Sequence, residues 1–496
     1  MLFDAVRPAQ SDVACSLAGA TSLGRAVSKQ WIERGRYRAA FLGAALALLI
    51  VGDAAGSGSS STQVEEMKRQ LSELEARVER LAAQRERRRS GAPAAALTRG
   101  SQPRSWKLPG TNTSMRIGGY VKLDLIVNLN AISASSSGDD GSSLGDAPID
   151  GTPAARRQGN TRLHARQSRF FIRTWTPTKW GRLDTRIEGD FFGAGGDEII
   201  SNSNSFRIRH AYGSFGPLLA GQTYTNLFQG YGDGETIETG APGGKISARQ
   251  GQIRYTHRIG DATRLAISVE NPETGSTTGP GAELVAVGGI PGALVAGSTF
   301  GANDPMPVFA IHLNHRHREG TFGIVAGLRR LHIDNGAGVD AAALGWIVQL
   351  AGRRALDRHV TIGGNIYVGK GFGRGISHWD TSAVLRPAPA ASARLHTVFA
   401  IGGSAWAQTR WTPTLRSNLI YSRSFIDIAG AAGGKAALPV GAGLNRDLWR
   451  AIVNLIWSPL GPRVDLGMEY AYGFRGTING PNGKLHRIQA SLRVRF

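Results

Sequence analysis

From Met115 onward, apolar and polar residues alternate along the chain with a period of two. In MRIGGYVKLDLIVNLN, residues 115–130, Ile117, Val121 and Leu123 share one face, and charged side chains share the other. The stretch GRLDTRIEGDFF, residues 181–192, repeats the pattern with five charged residues on one face. Because side chains point alternately to the two faces of a β-strand, this period predicts amphipathic strands.

Sixteen such strands are predicted, and their connections alternate between short turns, such as PTKWG and SPLGP, and long loops, such as residues 131–161 and 225–248. An even number of antiparallel strands with this asymmetry is typical of an outer-membrane β-barrel. Sixteen strands also leave a water-filled lumen. The fold class predicted is therefore all-β, a 16-stranded antiparallel transmembrane β-barrel. Its strands are residues 115–130, 163–176, 182–192, 206–215, 218–224, 249–258, 263–271, 308–316, 322–332, 341–352, 357–369, 396–411, 414–424, 446–457, 463–473 and 485–496.

The last strand, HRIQASLRVRF, places Leu492, Val494 and Phe496 on one face and arginines on the other. Taken alone, this segment fits a soluble β-sandwich equally well. Within sixteen strands it is expected to close the barrel, because backbone groups in lipid cannot stay unpaired. Its outward Phe496 is then expected at the membrane interface.

A charged segment before the strands, residues 62–89, has apolar residues at spacings of three and four. This spacing predicts the seam of a short N-terminal α-helical coiled coil. The alternative is a single amphipathic helix lying on a core. Gly/Ser-rich and Ala/Pro-rich linkers flank the segment, which favours packing against copies of itself. The predicted seam residues are Val64, Met67, Leu71, Leu74, Val78 and Leu81.

The longest apolar run, residues 39–52, follows the basic stretch RGRYR and precedes small residues. It is too short for a membrane-spanning helix and is typical of a secretory signal peptide, with cleavage after Ala54 or Gly56. The only cysteine, Cys15, precedes this site, which suits an oxidising compartment without requiring one. The predicted segments are 1–56, a signal peptide with an extended or wrongly assigned start; 57–90, a periplasmic coiled coil; 91–114, a linker; and 115–496, the barrel.

The formal charge of +21 fits nucleic acid, an anionic surface or anionic solutes. No zinc-finger spacing, basic helix or aromatic RNA-binding motif accompanies it, so no nucleic-acid partner is expected. GAPGGKI, residues 240–246, lacks the spacing and hydroxyl residue of a phosphate loop. The acidic loop of residues 138–150 is read as a solvated surface loop in preference to a cation site. With no metalloprotease, nucleophile-elbow or clustered Cys/His motif, we expect no enzyme activity, no metal and no cofactor.

The polar strand faces carry more bases than acids. Residues 1–100 hold 15 Lys/Arg and 10 Asp/Glu, so the totals of 58 and 37 leave 43 bases against 27 acids beyond them, an excess of 16. The bases either brace the wall by pairing with lumenal acids or select anions, and the excess favours selection. By parity, the lumenal bases are Arg116, Lys122, Arg169, Arg173, Arg182, Arg186, Arg207, Arg209 and Arg254, and the lumenal acids are Asp124, Asp184, Glu188 and Asp190.

The chain resembles the DcaP-like porins of bacterial outer membranes. The matching stretches are MRIGGYVKLDLI, SRFFIRTWTPTKWGRLDTRIEGDFFG, FRIRHAYGSFGPLLAGQTYTNLF, RQGQIRYTHRIGD and the terminal LRVRF. The resemblance covers residues 62–496 and is densest over 115–270, while residues 272–306 and 425–446 do not match. It implies a homotrimer of 16-stranded barrels in outer-membrane lipid and lipopolysaccharide, with a periplasmic coiled coil and small, mostly anionic solutes. In outer-membrane proteins generally, Leu492, Val494 and Phe496 would be the pattern read by the barrel-assembly machinery.

Two functions follow. The first is a passive diffusion porin for small hydrophilic solutes, preferring anions such as dicarboxylates, in the outer membrane of a Gram-negative bacterium. By analogy with general porins, its third long loop, residues 225–248, is expected to fold inward. The second is a structural protein in which the barrel anchors a periplasmic coiled-coil tether.

Overall fold

The computed structural model describes residues 61–90, 98–132, 144–193, 204–240, 243–272, 284–286, 304–334, 340–376, 379, 381–386, 394–438, 444–478 and 480–496. The chain divides into two compact units, residues 1–96 and residues 97–496. The predicted signal peptide, its cleavage sites and Cys15 lie outside the described residues and stay predictions.

The first unit contains one long helix, α1, at Ser61–Ser90. Ion pairs three residues apart, Lys68–Glu65 at 3.2 Å and Arg69–Glu66 at 3.0 Å, support its first turns. The predicted seam residues whose side chains are described are all exposed: Leu71, Leu74, Val78 and Leu81. The other two, Val64 and Met67, belong to the helix, but their side chains are not described. The helix is therefore present, and its pairing with other chains stays a prediction.

The second unit is built from strands. Among the described residues they are β1 Trp106–Lys107, β2 Ser114–Asn128, β3 Thr161–His164, β4 Arg169–Thr178, β5 Gly181–Asp190, β6 Arg207–Phe215, β7 Leu218–Tyr224, β8 Arg249–Ile259, β9 Thr263–Glu270, β10 Leu284–Ala286, β11 Val308–Arg316, β12 Gly320–Asp334, β13 Asp340–Ala355, β14 Val360–Lys370, β15 Ala383–Arg386, β16 Arg394–Thr397, β17 Phe399–Arg410, β18 Leu415–Asp427, β19 Asn445–Trp457, β20 Val464–Thr477 and β21 Gly483–Arg495. A short helix, α2, spans Ile428–Ala432. In the described part of the chain, no helix combines the length and hydropathy needed to cross a membrane.

Sixteen antiparallel barrel strands are present in the described residues, which confirms the predicted all-β barrel. They are β2, β3 with β4 as one interrupted strand, β5 to β9, β11 to β14, and β17 to β21. The last strand, β21, pairs with β2, so the sheet closes on itself. The Phe496 amide also donates to the Gly119 carbonyl oxygen at 3.2 Å, extending this seam to the final residue. Closure leaves no open edge among these strands.

The predicted alternation of side chains is visible in the exposure of β2. Val121 and Leu123 are exposed on the outside, whereas Lys122 and Asp124 are buried on the inside. At the closing seam, Leu492, Val494 and Phe496 are likewise exposed on the outer face. Because a lipid-facing wall must be apolar and the lumen polar, the period of two is the signature of the barrel itself.

Two irregularities depart from the predicted strands. The second predicted strand, residues 163–176, is interrupted by residues 165–168, where the Ser168 hydroxyl accepts from the Lys122 backbone amide at 3.0 Å. On β6, the register with β5 shifts at Glu188, so Glu188 lies opposite His210. The shift on β6 is a β-bulge, which re-aims side chains locally. After this bulge, parity no longer predicts which side chain faces the lumen.

A small three-stranded sheet, which was not predicted, lies at the long-loop end. Strand β15 pairs in parallel with β10 and antiparallel with β16. It packs on the ends of β12 and β13, which, at 15 and 16 residues, exceed the roughly 9–11 residues that a membrane requires. The shared apolar cluster consists of Leu331, Ile333, Ala341, Ala383, Leu385 and Leu395.

Candidate functional site

All nine predicted bases and all four predicted acids lie on the lumenal face of the barrel wall. Their sequence neighbours point outward: Ile117, Ile187, Ile208 and Ile253 are all exposed. The bases occupy β2, β4, β5, β6 and β8, which are consecutive in the barrel except for β7. The wall formed by β2 to β8 is called the basic wall below.

Two buried carboxylates organise the centre of the basic wall. Glu188 pairs with Arg169 at 3.4 Å and Arg209 at 3.1 Å, and it also accepts from Arg186. Asp190 pairs with Arg207 at 3.0 Å and with Arg209 at 2.7 Å. Five ion pairs thus join two acids to four arginines. These side chains therefore connect neighbouring strands of the wall, and they also give it a net positive charge.

Each of the remaining predicted acids forms one ion pair with a base on its own strand. Asp184 pairs with Arg182 at 2.6 Å, and Asp124 pairs with Lys122 at 2.9 Å. The Lys122 side chain is 4% exposed, so this ammonium is a buried structural charge and offers little to a solute. Ion pairing within the wall therefore accounts for a large part of the predicted lumenal bases and acids.

One group of three lumenal arginines has few acidic partners. Arg116, Arg173 and Arg186 lie directly opposite one another on β2, β4 and β5, and they are called the arginine row. Like charges in directly opposite positions destabilise a sheet. Among the described residues, Arg116 and Arg173 form no ion pair, and Arg186 pairs only with Glu188. Within the row, Arg116 and Arg173 are thus positive charges that no acid among the described residues neutralises.

Aromatic rings support the arginine row in place of acids. The Arg116 and Arg186 guanidinium carbons lie 5.6 and 5.2 Å from the centre of the Phe171 ring. The Arg173 guanidinium lies 5.1 Å from the centre of the Trp175 ring. A ring face orients a guanidinium without neutralising it. The N–H groups therefore stay available to a solute.

The described residues of the loop between β7 and β8, 225–240 and 243–248, fold into the lumen as expected, and they are called the inward loop. It runs along the wall opposite the basic wall. Near its start, the Asn226 amide donates to Glu270 at 2.7 Å, and the Gln229 side chain donates to the Gln349 side chain at 3.2 Å. Farther along, the Asn365 side chain donates to the Gly232 carbonyl oxygen at 3.2 Å. The loop is therefore fixed to several strands in turn.

The tip of the inward loop is held by buried charge. Glu238 pairs with Arg450, whose side chain is 0% exposed. The backbone amides of Ile237 and Glu238 both donate to the Glu469 carboxylate, at 2.8 and 3.0 Å. Lys122 donates from β2 to the Ile237 carbonyl oxygen at 2.7 Å. The tip thus spans from β19 to β2 and narrows the lumen.

A glycine makes this close approach possible. A Cβ placed on Gly467 of β20 would lie 2.5 Å from the Ile237 Cδ1 atom. A residue with a Cβ there would require the Ile237 side chain to shift.

The inward loop also carries acids towards the lumen. Glu235 forms a two-pronged pair with Arg416, with both contacts at 2.7 Å. Asp233 lies 3.4 Å from Lys245, at the other end of the loop. Burial raises the pKa of Asp233, and the Lys245 ammonium opposes that shift. Both of these acids are therefore paired with bases, one on the loop itself and one on β18.

Several lumenal bases were missed by the sequence analysis. The Arg249 guanidinium lies 5.4 Å from the centre of the Tyr224 ring, yet parity on β8 would separate it from Arg254. Arg416 and Arg450 lie in predicted strands, and their parity was available but not used. Their acidic partners come from the inward loop, which local periodicity cannot place.

Comparison with known proteins finds one matching family model and several similar solved structures. The family model described as DcaP outer membrane protein matches residues 100–283. No curated protein matches the chain.

Solved structures share the barrel. The outer membrane channel DcaP of Acinetobacter baumannii aligns at a TM-score of 0.62 and 21% identity, covering 79% of this chain and 99% of that one. OmpT of Vibrio cholerae aligns at 0.47 and 9% identity, covering 78% and 99%. The anion-selective porin from Comamonas acidovorans aligns at 0.46 and 10% identity, covering 77% and 100%. The family match over residues 100–283 and the barrel shared with the DcaP channel confirm the resemblance to the DcaP outer membrane proteins, and the fold of this chain is that of an outer-membrane β-barrel channel.

Proposed function

We propose that the protein is a porin, a passive diffusion channel for small hydrophilic solutes that prefers anions such as dicarboxylates. The observation that carries the proposal is the arginine row, in which Arg116 and Arg173 face the lumen without acidic partners. Fixed positive charge inside a narrow, low-dielectric wall raises the local concentration of anions. The inward loop supports the proposal because it confines solutes to the remaining lumen.

Passage requires binding that is weak and repeated. A carboxylate can exchange part of its hydration for the N–H groups of Arg116 or Arg173, whose planar forks match its geometry. Opposite residues on neighbouring strands are about 5 Å apart between Cα atoms, so a dicarboxylate can contact two arginines of the row. Because the row stays hydrated, the solute can also leave, as conduction requires.

The purified protein in planar bilayers is expected to be anion-selective. Under a potassium chloride gradient, the reversal potential should have the sign of chloride permeation, with a preference of up to roughly tenfold. The expected cause is the excess of bases on the basic wall. A channel that prefers potassium would refute the proposed selectivity.

We propose further that three chains associate and that α1 forms a periplasmic coiled coil. The exposed apolar residues of the α1 seam support association, and the number three comes from the family resemblance. We also propose that Leu492, Val494 and Phe496 form the signal read by the barrel-assembly machinery, and that the outer surface contacts lipopolysaccharide.

Replacing Leu71 and Leu74 together by aspartate is expected to abolish helix pairing, because two charges would enter each heptad seam. The barrels are expected to remain trimeric in mild detergent. Native mass spectrometry measures the trimer, and circular dichroism measures the helix that is lost when pairing is lost, with Glu73→Asp as a control outside the seam. Wild-type protein that is monomeric under these conditions would contradict the trimer.

A further inference from the structure

A second basic surface lies at the short-turn end of the lumen, on the wall opposite the arginine row. It borders a cavity of about 800 Å³. Four arginines line this cavity: Arg316, Arg318, Arg353 and Arg410. They are called the vestibule arginines, and none belongs to the basic wall.

Strand parity directs three of them inward. Arg316 ends β11, and it follows Val308 and Ala310, which are buried at even positions. Arg353 continues the buried odd positions of β13 that include Ala351. Arg410 ends β17 on the face of buried Ala400. Arg318 is exposed in the turn that joins β11 to β12.

The register brings these strands together at one level. Arg316 lies opposite Thr321 of β12, and Thr321 lies opposite Arg353 of β13. Arg316 and Arg353 are thus two strands apart, about 10 Å between Cα atoms. Arginine side chains can converge over that distance on one small molecule.

Nearby acids are already engaged. Glu319 pairs with Arg354 at 3.0 Å, and Glu235 pairs with Arg416 at 2.7 Å. Among the described residues, none of the four vestibule arginines forms an ion pair. The alternative is four independently solvated side chains, but the cavity that all four share, and the register that brings Arg316 and Arg353 together, favour a joint role.

We propose that the vestibule arginines form a binding site for a small anion that carries two or three carboxylates, separate from the arginine row. This proposal rests on the proposed porin function. It adds a second binding site on the short-turn side of the inward loop. A multivalent anion contacts several guanidinium groups at once, whereas chloride contacts one. The site therefore retains polycarboxylates in preference to simple anions.

Citrate is the probe for this site, used with wild-type single channels in a planar bilayer with potassium chloride on both sides. Citrate is added first to one side and then, in a separate experiment, to the other. The concentration that blocks half of the chloride current is expected to be lower for addition on one of the two sides. Changing Arg316, Arg353 and Arg410 together to glutamine should raise the half-blocking concentration on that side about tenfold, because three exposed charge contacts are lost.

The control triple variant changes Lys179, Arg358 and Arg463 to glutamine. These residues are exposed at the same end of the barrel and do not line the cavity, so the block should stay within about twofold of wild type. Heat-modifiable mobility verifies that each variant forms a barrel. Equal block from both sides, or equal effects of the two triple variants, would overturn the inference. A wild-type channel without anion selectivity would overturn the porin proposal instead, so the two failures are distinguishable.

Discussion

Replacing Arg116 and Arg173 together by glutamate is expected to shift the reversal potential strongly towards cations. The double variant changes four units of charge in the lumen at positions without acidic partners. Because no ion pair is broken, the barrel should remain folded while its field changes. We expect the anion-to-cation permeability ratio to fall about tenfold in planar bilayers at low salt.

The matched control is the double variant Arg358→Glu and Arg463→Glu, which changes the same charge in exposed short turns. It should leave the reversal potential nearly unaltered. Arg207 and Arg209 are poor choices for such a test, because glutamate there would crowd Asp190. Unchanged selectivity in the Arg116 and Arg173 variant would mean that the arginine row is only structural.

Replacing Glu238 by alanine is expected to release the tip of the inward loop and raise the single-channel conductance. The change leaves Arg450 buried without its partner, at a cost of about 3–5 kcal/mol. Moving the loop away from the wall lets water reach that guanidinium and widens the lumen. Conductance and current noise in planar bilayers measure the effect.

Glu235→Ala is the control, since its pair with Arg416 is partly exposed and contributes less, about 1 kcal/mol or below. The expected order of conductance is therefore Glu238→Ala above Glu235→Ala above wild type. Equal conductance in all three proteins would show that other contacts fix the tip.

The sequence was sufficient to predict the strands because each barrel strand carries its own evidence. Leu123 faces lipid and Asp124 faces water, so a period of two is imposed locally wherever the wall separates the two. The prediction of side-chain direction fails where the period of two is interrupted. An example is the bulge on β6 opposite Glu188, after which His210 faces inward. The small loop-end sheet was missed because its strands are three or four residues long and show no such alternation.

The candidate site was predictable in its orientation but not in its pairing. Arg173 and Arg207 have the same parity signal, yet only Arg207 has an acid within reach, Asp190 of the neighbouring strand. That difference depends on the register between strands, which no single strand encodes. The pair Glu238 and Arg450 is 212 residues apart in sequence, so local patterns could not reveal the loop anchor.

In the proposed porin, the unpaired charges of Arg116 and Arg173 make selectivity depend on the surrounding medium. At an ionic strength of 0.01 M, charges act over about 30 Å, whereas at 0.15 M they act over about 8 Å. At the lower ionic strength, Arg116 and Arg173 therefore act on solutes well beyond contact distance. At the higher one they act mainly on solutes that pass close to them, so the proposed anion preference is expected to be stronger in dilute media than in saline ones.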